Sequence, residues 1–281
     1  MTSPAAPGPG DLLRAYDDQL RERLSSALTQ DRLGPLVLAT YLGGRGFVTY
    51  RSLEEDGRPA TEASVLRLVE QAMAYYEAAP EIAYVEWKTR GHDHAPGLHE
   101  ALLDRGFAPD EPESIMIGEA RLLARDIGLP DGVTVRQAAD EDDVRRMHAM
   151  QSRVFGDPPE RAEAHLGQIL HRLRTRNDME LWLAEADGEV VSAGRLEPEP
   201  GTDFAGIWGG ATTPEWRGRG VYRALTAARA RSAIAHGKRW ITSDSTELSR
   251  PILERSGLVK VSTTTPYEWR RGTASTRADS A

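Results

Sequence analysis

Near the start of the chain, Leu13, Tyr16, Leu20, Leu24 and Leu28 recur at helical spacing and predict a helix over 11–29. Two short apolar runs follow, LVLATY (36–41) and GFVTY (46–50), which read as strands joined by the turn LGGR. Thr61 stands just before Val65, Leu68, Val69, Ala72 and Met73, the pattern of a capped helix running to about residue 79. A strand IAYVEWK (82–88), a polar loop, a short helix to Arg105 and a strand around 115–117 complete this first part.

Gly and Pro interrupt the pattern at 125–131 and mark a seam. Beyond it, GVTVRQ (132–137) is a strand, and Asp140 opens a helix carrying Val144, Met147 and Val154. Pro158 and Pro159 open another, with Ala162, Leu166, Ile169, Leu170 and Leu173 on one face. MELWLAEA, the turn Asp187-Gly188 and EVVSAGRL form a hairpin. FAGIWGGAT (204–212) is a strand that runs into PEWRGRG and a helix over 221–236, ended by Gly237. RWITSD, a short helix capped by Ser249 and stopped at Gly257, and two strands, LVKVST and YEWRR, finish the chain. Both parts share the order strand, helix, strand, helix, strand, the mark of a duplication. The segments 1–10 and 272–281 lack such patterning and are expected to be disordered.

Composition narrows the chemistry. There is no cysteine among 281 residues, so disulfides, thiolate metal sites and a cysteine nucleophile are excluded, and a reducing cytoplasm fits. The N-terminus MTSPAAPGPG has no basic or apolar region of the signal-peptide kind, and no apolar run approaches a membrane span. A net charge of −8 argues against nucleic acid and suits an amine-bearing small molecule. His92-Asp93-His94 with His99 is better read as a polar loop before a helix than as a metal site, and no metal is expected.

The most informative segment is TPEWRGRGVYRAL, 213–225. A strand ends, a Gly- and Arg-rich turn follows, and a helix starts at once. Backbone N–H groups of such a turn, with the positive end of the helix dipole, make a cradle for an anion such as a pyrophosphate. Gly218 and Gly220 let the backbone approach it, and Arg217 and Arg219 add charge. The segment lacks the Gly-Lys-Ser/Thr of a P-loop and the G-x-G-x-x-G of a dinucleotide fold.

This segment resembles motif A of the GNAT acyltransferases (Gcn5-related N-acetyltransferases), Arg/Gln-x-x-Gly-x-Gly/Ala. Arg217 and Gly220 match, while Tyr222 departs at the last position. The order of elements over 133–270 is similar to a whole GNAT fold, an α/β architecture with a mixed sheet. SRPILERSGL (249–258) resembles the family's late helix, with Leu258 in place of Phe. In the first part, HEALLDRGF (99–107) matches that same ending, but the expected phosphate loop is the acidic RSLEEDGRPA. The chain therefore resembles tandem GNAT proteins, with a degenerate half at 11–128 and a catalytic half at 129–271.

The resemblance implies acetyl-CoA, or another acyl-CoA, as co-substrate. Its pyrophosphate would sit on N–H groups of Arg217, Gly218, Arg219, Gly220, Val221 and Tyr222. Its pantetheine would run along Gly210, Ala211 and Thr212, where the family's central strand bulges and Gly209-Gly210 permit it. Ser249 joins this set at the late helix. The acceptor amine must lose a proton, and Asp244, Glu197, Asp203 and Glu247 are the carboxylates considered, Asp244 and Glu197 foremost. The Tyr that many GNATs carry four residues before the late Gly is Leu253 here, so Tyr222 and Tyr267 are the candidate acids for the leaving thiolate. The acceptor pocket would be built from 140–177, the hairpin near Pro198 and 263–267. With no cysteine and no Ser–His pair, transfer would be direct, within a ternary complex. The resulting expectation is N-acetylation of a small-molecule amine. A non-catalytic acyl-CoA sensor and an acetyltransferase for a protein or peptide amine are the alternatives. The terminal strand can pair within the chain or across a homodimer.

Overall fold

A computed structural model describes residues 7–272. The expected disorder of 1–10 and 272–281 falls mostly outside these residues, although Pro9 and Gly10 already belong to a helix. The chain divides into two compact units. One comprises 1–12 and 114–261, the other 13–113 and 262–281. These are not the two sequential halves, because each half contributes its last strand to the other unit.

The unit built mainly from the first half begins with α1 (Pro9–Gln19), whose start is shared with the other unit. The helix is shorter than its leucine spacing predicts. Arg21 is buried, donating to the Tyr50 carbonyl (3.0 Å) and to Asp93 (2.8 Å), which fixes the chain in a turn. Ser25 and Ser26 then favour non-helical backbone. Leu28 is left exposed, and its N–H begins edge pairing at Thr40. The strand that follows, β1 (Thr29–Leu33), has no apolar alternation and was not legible. It pairs with β2 (Leu36–Tyr41), then β3 (Arg45–Tyr50), all antiparallel. Helix α2 (Glu62–Glu77) crosses to β4 (Tyr84–Arg90), parallel to β3. Its buried face holds Val65, Leu68, Val69, Ala72 and Met73, as the periodicity predicts, and Tyr76 one turn further on. Burial of each large apolar side chain there contributes about 1.5–3 kcal/mol. Helix α3 (Leu98–Asp104) and the two-residue β5 (Ala108–Pro109) follow.

The next strand, β6 (Glu113–Glu119), leads into the other unit through α4 (Ala120–Leu123). There β7 (Val133–Gln137), β8 (Glu180–Ala186), β9 (Glu189–Pro198) and β10 (Phe204–Thr212) form an antiparallel run. Helices α5 (Glu141–Phe155) and α6 (Pro159–Thr175) connect β7 to β8. The turn Asp187-Gly188 has both residues at positive φ (50° and 81°), as the hairpin requires. Helix α7 (Val221–Ala235) crosses to β11 (Trp240–Ser245), which is parallel to β10. β6 pairs antiparallel with β11. Helix α8 (Arg250–Arg255) precedes β12 (Val259–Arg270), one strand where two were predicted. Its threonines and Pro266 accept extended backbone without a break. From Thr264 on, β12 pairs antiparallel with β4, so YEWRR is paired within the chain.

Each unit thus repeats one plan: antiparallel strands, a parallel pair bridged by a helix, and an antiparallel last strand from the other half. The duplication read from the sequence is present, with the last strands exchanged.

The unit holding 114–261 has two apolar layers. Leu181, Leu183, Ala193 and Ala211 face α5 and α6, packing on Val144, Met147, Met150, Ile169 and Leu170. Leu196, Ala205 and Ile207 face the other way, onto Ala230 and Ala233 of α7 and Leu253 of α8. The alanine-rich α7 lets helix and sheet approach closely, and it forms readily because alanine has the best helix propensity.

Candidate acyltransfer site

The site is assembled at the carboxyl ends of β10 and β11. The parallel ladder pairs only Phe204, Ala205 and Gly206 with Trp240, Ile241 and Thr242, and both strands continue past it. On its other edge β10 bulges. Trp208 pairs with Arg195 and Ala211 with Ala193, so Gly209 and Gly210 share one register step. Gly209 takes φ +59°, and its carbonyl accepts a bond from Gln151 Nε2 of α5 (2.5 Å). The bulge lies where the family resemblance implies one, at the Gly-Gly pair that permits it. Beyond it, Ser192 Oγ donates to the Ala211 carbonyl (2.8 Å) and lies 2.8 Å from Thr212 Oγ1.

The strand then enters a single 3₁₀ turn, Pro214–Trp216, and the glycine turn. Gly218 has φ +74° and Gly220 +85°, a conformation that side chains resist. A β-carbon on Gly218 would meet nothing within 4 Å, and one on Gly220 would meet only the Gly128 carbonyl, at 3.8 Å. The turn is therefore uncrowded at both glycines. Gly220 is the N-cap of α7, and no side chain caps it. The first N–H groups of α7 and the positive end of its dipole are left for an external anion. Arg217 Nε donates to the Thr212 carbonyl (3.1 Å), tying turn to strand, and Arg219 lies over the Trp216 ring at 5.0 Å. These residues fit a pyrophosphate-bearing co-substrate.

The candidate side chains have distinct surroundings. Tyr222 packs over the bulge: a β-carbon on Gly210 would lie 2.7 Å from its Cε2 and 2.9 Å from its hydroxyl. Beneath its ring, at 5.9 Å, is the guanidinium of Arg229, buried in α7 without a carboxylate. Arg229 donates to the Arg195 carbonyl (3.3 Å) and Thr226 Oγ1 (3.1 Å), and its Nε has no partner. Burial lowers its pKa from the ordinary arginine value, with Tyr222 acting in the opposite direction.

Glu197 is bound by Arg195 (2.8 Å) and Arg172 (3.1 Å). Burial pushes its pKa up, but the two guanidinium groups outweigh burial and hold it below the usual carboxylate range. Each of its oxygens is engaged by an arginine, Oε1 by Arg195 and Oε2 by Arg172. Asp244 is half-buried on β11, beyond the end of the parallel ladder. Ser249 precedes α8 in helical conformation and makes no cap bond. Its Oγ turns back to the Thr246 carbonyl (3.3 Å), so the predicted cap is absent. Leu253 is buried in the apolar layer under the sheet. Tyr267 belongs to the other unit, where its hydroxyl meets His99 Nδ1 at 2.7 Å.

Three polar groups on α5 and α6 escape the sequence reading. His148 is buried, with Nε2 3.3 Å from His165 Nδ1 and Nδ1 3.5 Å from Ser152 Oγ. Gln151, one turn on, reaches the bulge. The partner of His165 lies across the helix pair, where spacing along its own helix does not show it.

The sequence model of the acetyltransferase (GNAT) family matches residues 144–257, which contain the bulge, the glycine turn and α7. These residues belong to the GNAT family. Solved structures sharing the fold include a GCN5-related N-acetyltransferase from Kribbella flavida, at 17% identity and TM-score 0.61, covering 94% of each chain. Another, from Sphaerobacter thermophilus, has 17% identity and TM-score 0.60 and covers 93% of this chain and 85% of its own. A tandem GNAT protein from the clavulanic acid biosynthesis pathway has 13% identity and TM-score 0.58, with 86% of this chain and 80% of its own covered. At these identities the likeness is one of fold, and it spans both halves of the GNAT pair. No curated protein sequence matches the chain. Among the described residues no group of three or more His, Asp or Glu side chains could hold a metal, and no helix is long and apolar enough to cross a membrane.

Proposed function

We propose that the chain is an acyl-CoA-dependent N-acyltransferase that moves acetyl from acetyl-CoA to the amine of a small molecule. The observation that carries this reading is the open, uncapped turn Gly218–Gly220 at the N-terminus of α7, next to the β10 bulge. Acetyl-CoA would supply the activated thioester. This chain's part is to hold it: N–H groups of Gly218, Arg219, Gly220, Val221 and Tyr222 on the pyrophosphate, and the free edge at Gly210, Ala211 and Thr212 along the pantetheine. Tyr222, over the bulge, is the side chain best placed to give the departing thiolate a proton.

Among the described residues, only the unit holding 114–261 has such a turn. In the other, the N-terminus of α2 is closed by its own capping box, Thr61 with Ser64. Before it, Glu55 pairs with Arg67, and Asp56-Gly57 form a tight turn. An anion would have to displace those bonds and meet acidic residues, which favours one acetyl-CoA per chain.

Leu253 in the apolar core favours a second reading, in which the protein binds acyl-CoA without turnover. Thiol release separates the two. The enzyme frees CoA from acetyl-CoA when a primary amine is added, and a sensor binds acetyl-CoA without releasing thiol.

A further inference from the structure

We infer that His165 is the general base of the transfer, and that His148 is the positioning residue that sets its tautomer. The inference rests on the acyltransferase reading above. His148 and Gln151 lie three apart on α5 and share a face, and Gln151 donates into the bulge at Gly209. His165 comes from α6 and meets His148 at 3.3 Å. Arg195, whose Nη1 would stand 3.9 Å from a β-carbon on Gly209, is also close enough to His165 to oppose its protonation. The imidazole pair, Gln151 and Arg195 therefore sit on the bulge's α5–α6 side, opposite Tyr222. The two histidines and Gln151 belong to the stretch 140–177 where the family resemblance puts the acceptor.

The bonding directions assign the work. His148 Nδ1–H can donate to Ser152 Oγ, which leaves His148 Nε2 to accept from His165 Nδ1–H. His165 Nε2 then keeps a lone pair at the solvent-facing end of the relay. A neutral acceptor amine attacks the thioester carbonyl, forming the C–N bond as the C–S bond breaks. The nitrogen's surplus proton passes to His165 Nε2 and on to solvent, and the CoA thiolate leaves and takes a proton. The charged groups facing His165 are Arg195 of β9, Arg161 of its own helix, His148 of α5 and Asp157 of the connecting loop. Desolvation, then Arg195, His148 and Arg161 disfavour its protonated form, and Asp157 alone favours it. Burial likewise lowers His148, against Asp157. His165 is thereby lowered to about 4 and His148 falls below the ordinary imidazole value, so both rings are neutral near pH 7 and His165 Nε2 is free to accept a proton, as a weak base.

The test uses the full chain, acetyl-CoA, and ethanolamine and glycinamide as acceptors. His165→Gln should keep the acetyl-CoA-induced rise in Tm, lose on the order of 100-fold or more in kcat, and lose the histidine's own acidic limb from the kcat/KM profile, leaving only the fall set by protonation of the acceptor amine. In the wild type that limb should turn below about 6.5, the ordinary imidazole value. His148→Asn should shift the limb with a smaller loss. Nitrogen-15 spectra of the labelled protein read the tautomer without any acceptor, and His165 should carry its proton on Nδ1. A proton on Nε2, or a His165→Gln enzyme within about twofold of wild type with an unmoved limb, would overturn the inference alone. A wild-type protein whose Tm ignores acetyl-CoA would overturn the acyltransferase reading and this inference with it.

Discussion

The hydroxyl of Tyr222 lies 2.9 Å from the point a β-carbon on Gly210 would occupy. The first turn of α7 and the bulged strand β10 are thus fitted to each other through a missing side chain. Gly210→Ala should destabilise the protein by about 1–3 kcal/mol through overpacking, and it should weaken acetyl-CoA binding. Tyr222→Ala in the same chain should relieve the clash. A double-mutant cycle by urea unfolding checks this, with a favourable coupling between the two substitutions as the expected result.

Arg229 is a buried cation with no carboxylate partner and one unbonded nitrogen. An apolar side chain of similar length avoids that desolvation, so Arg229→Met should leave stability unchanged or raise it. Gly194→Ala should do the opposite, since its β-carbon would stand 2.5 Å from Arg229 Nη1. Urea midpoints of the two variants should move in different directions.

Glu197 answers to two arginines, and the account gives it a structural role. Glu197→Gln should lower the melting temperature, because it leaves Arg195 and Arg172 short of a counter-charge. The pH dependence of kcat/KM should keep its inflection. A lost inflection would restore Glu197 as the base.

Asp143 caps the approach to α5 and binds Arg136 and Arg146. The bond from Arg136 outweighs burial, and with Ala139 N–H and Arg146 it depresses the folded-state pKa of Asp143 well below the usual carboxylate range. A depressed carboxylate contributes stability that is complete above its unfolded value of about 3.9 and is lost as pH falls through the folded value. Urea midpoints followed from pH 7 to pH 2 should therefore fall at the acid end. Asp143→Asn should begin lower and fall less.

The chain's periodicity made most elements legible, and the glycine turn most of all, because its φ values, charge and following helix are local properties. α2 and its buried face were read residue by residue. What escaped depended on contacts distant in sequence. β1 is held by backbone pairing and by side-chain bonds to residues such as Glu22, Thr40 and Tyr75, and α1 ends early because Arg21 is drawn into a buried network. The exchange of last strands leaves no local mark. Within the site, the bulge was expected from the GNAT resemblance, with Gly209-Gly210 there to permit it. The His148–His165 pair was not, since it joins two helices. Arg229 reads as one more charged residue in ARARS, and Glu197 as a free carboxylate until its arginines are placed.

The central claim is that the turn at Gly218 and Gly220 holds acetyl-CoA. The direct test is a titration of acetyl-CoA followed by melting temperature, in the wild type and in Gly220→Glu. At about 100 times Kd, ligand should stabilise the native protein by roughly 2.7 kcal/mol, and the acidic side chain should abolish the shift. A wild-type protein indifferent to millimolar acetyl-CoA, or a Gly220→Glu variant that responds like it, would contradict the account.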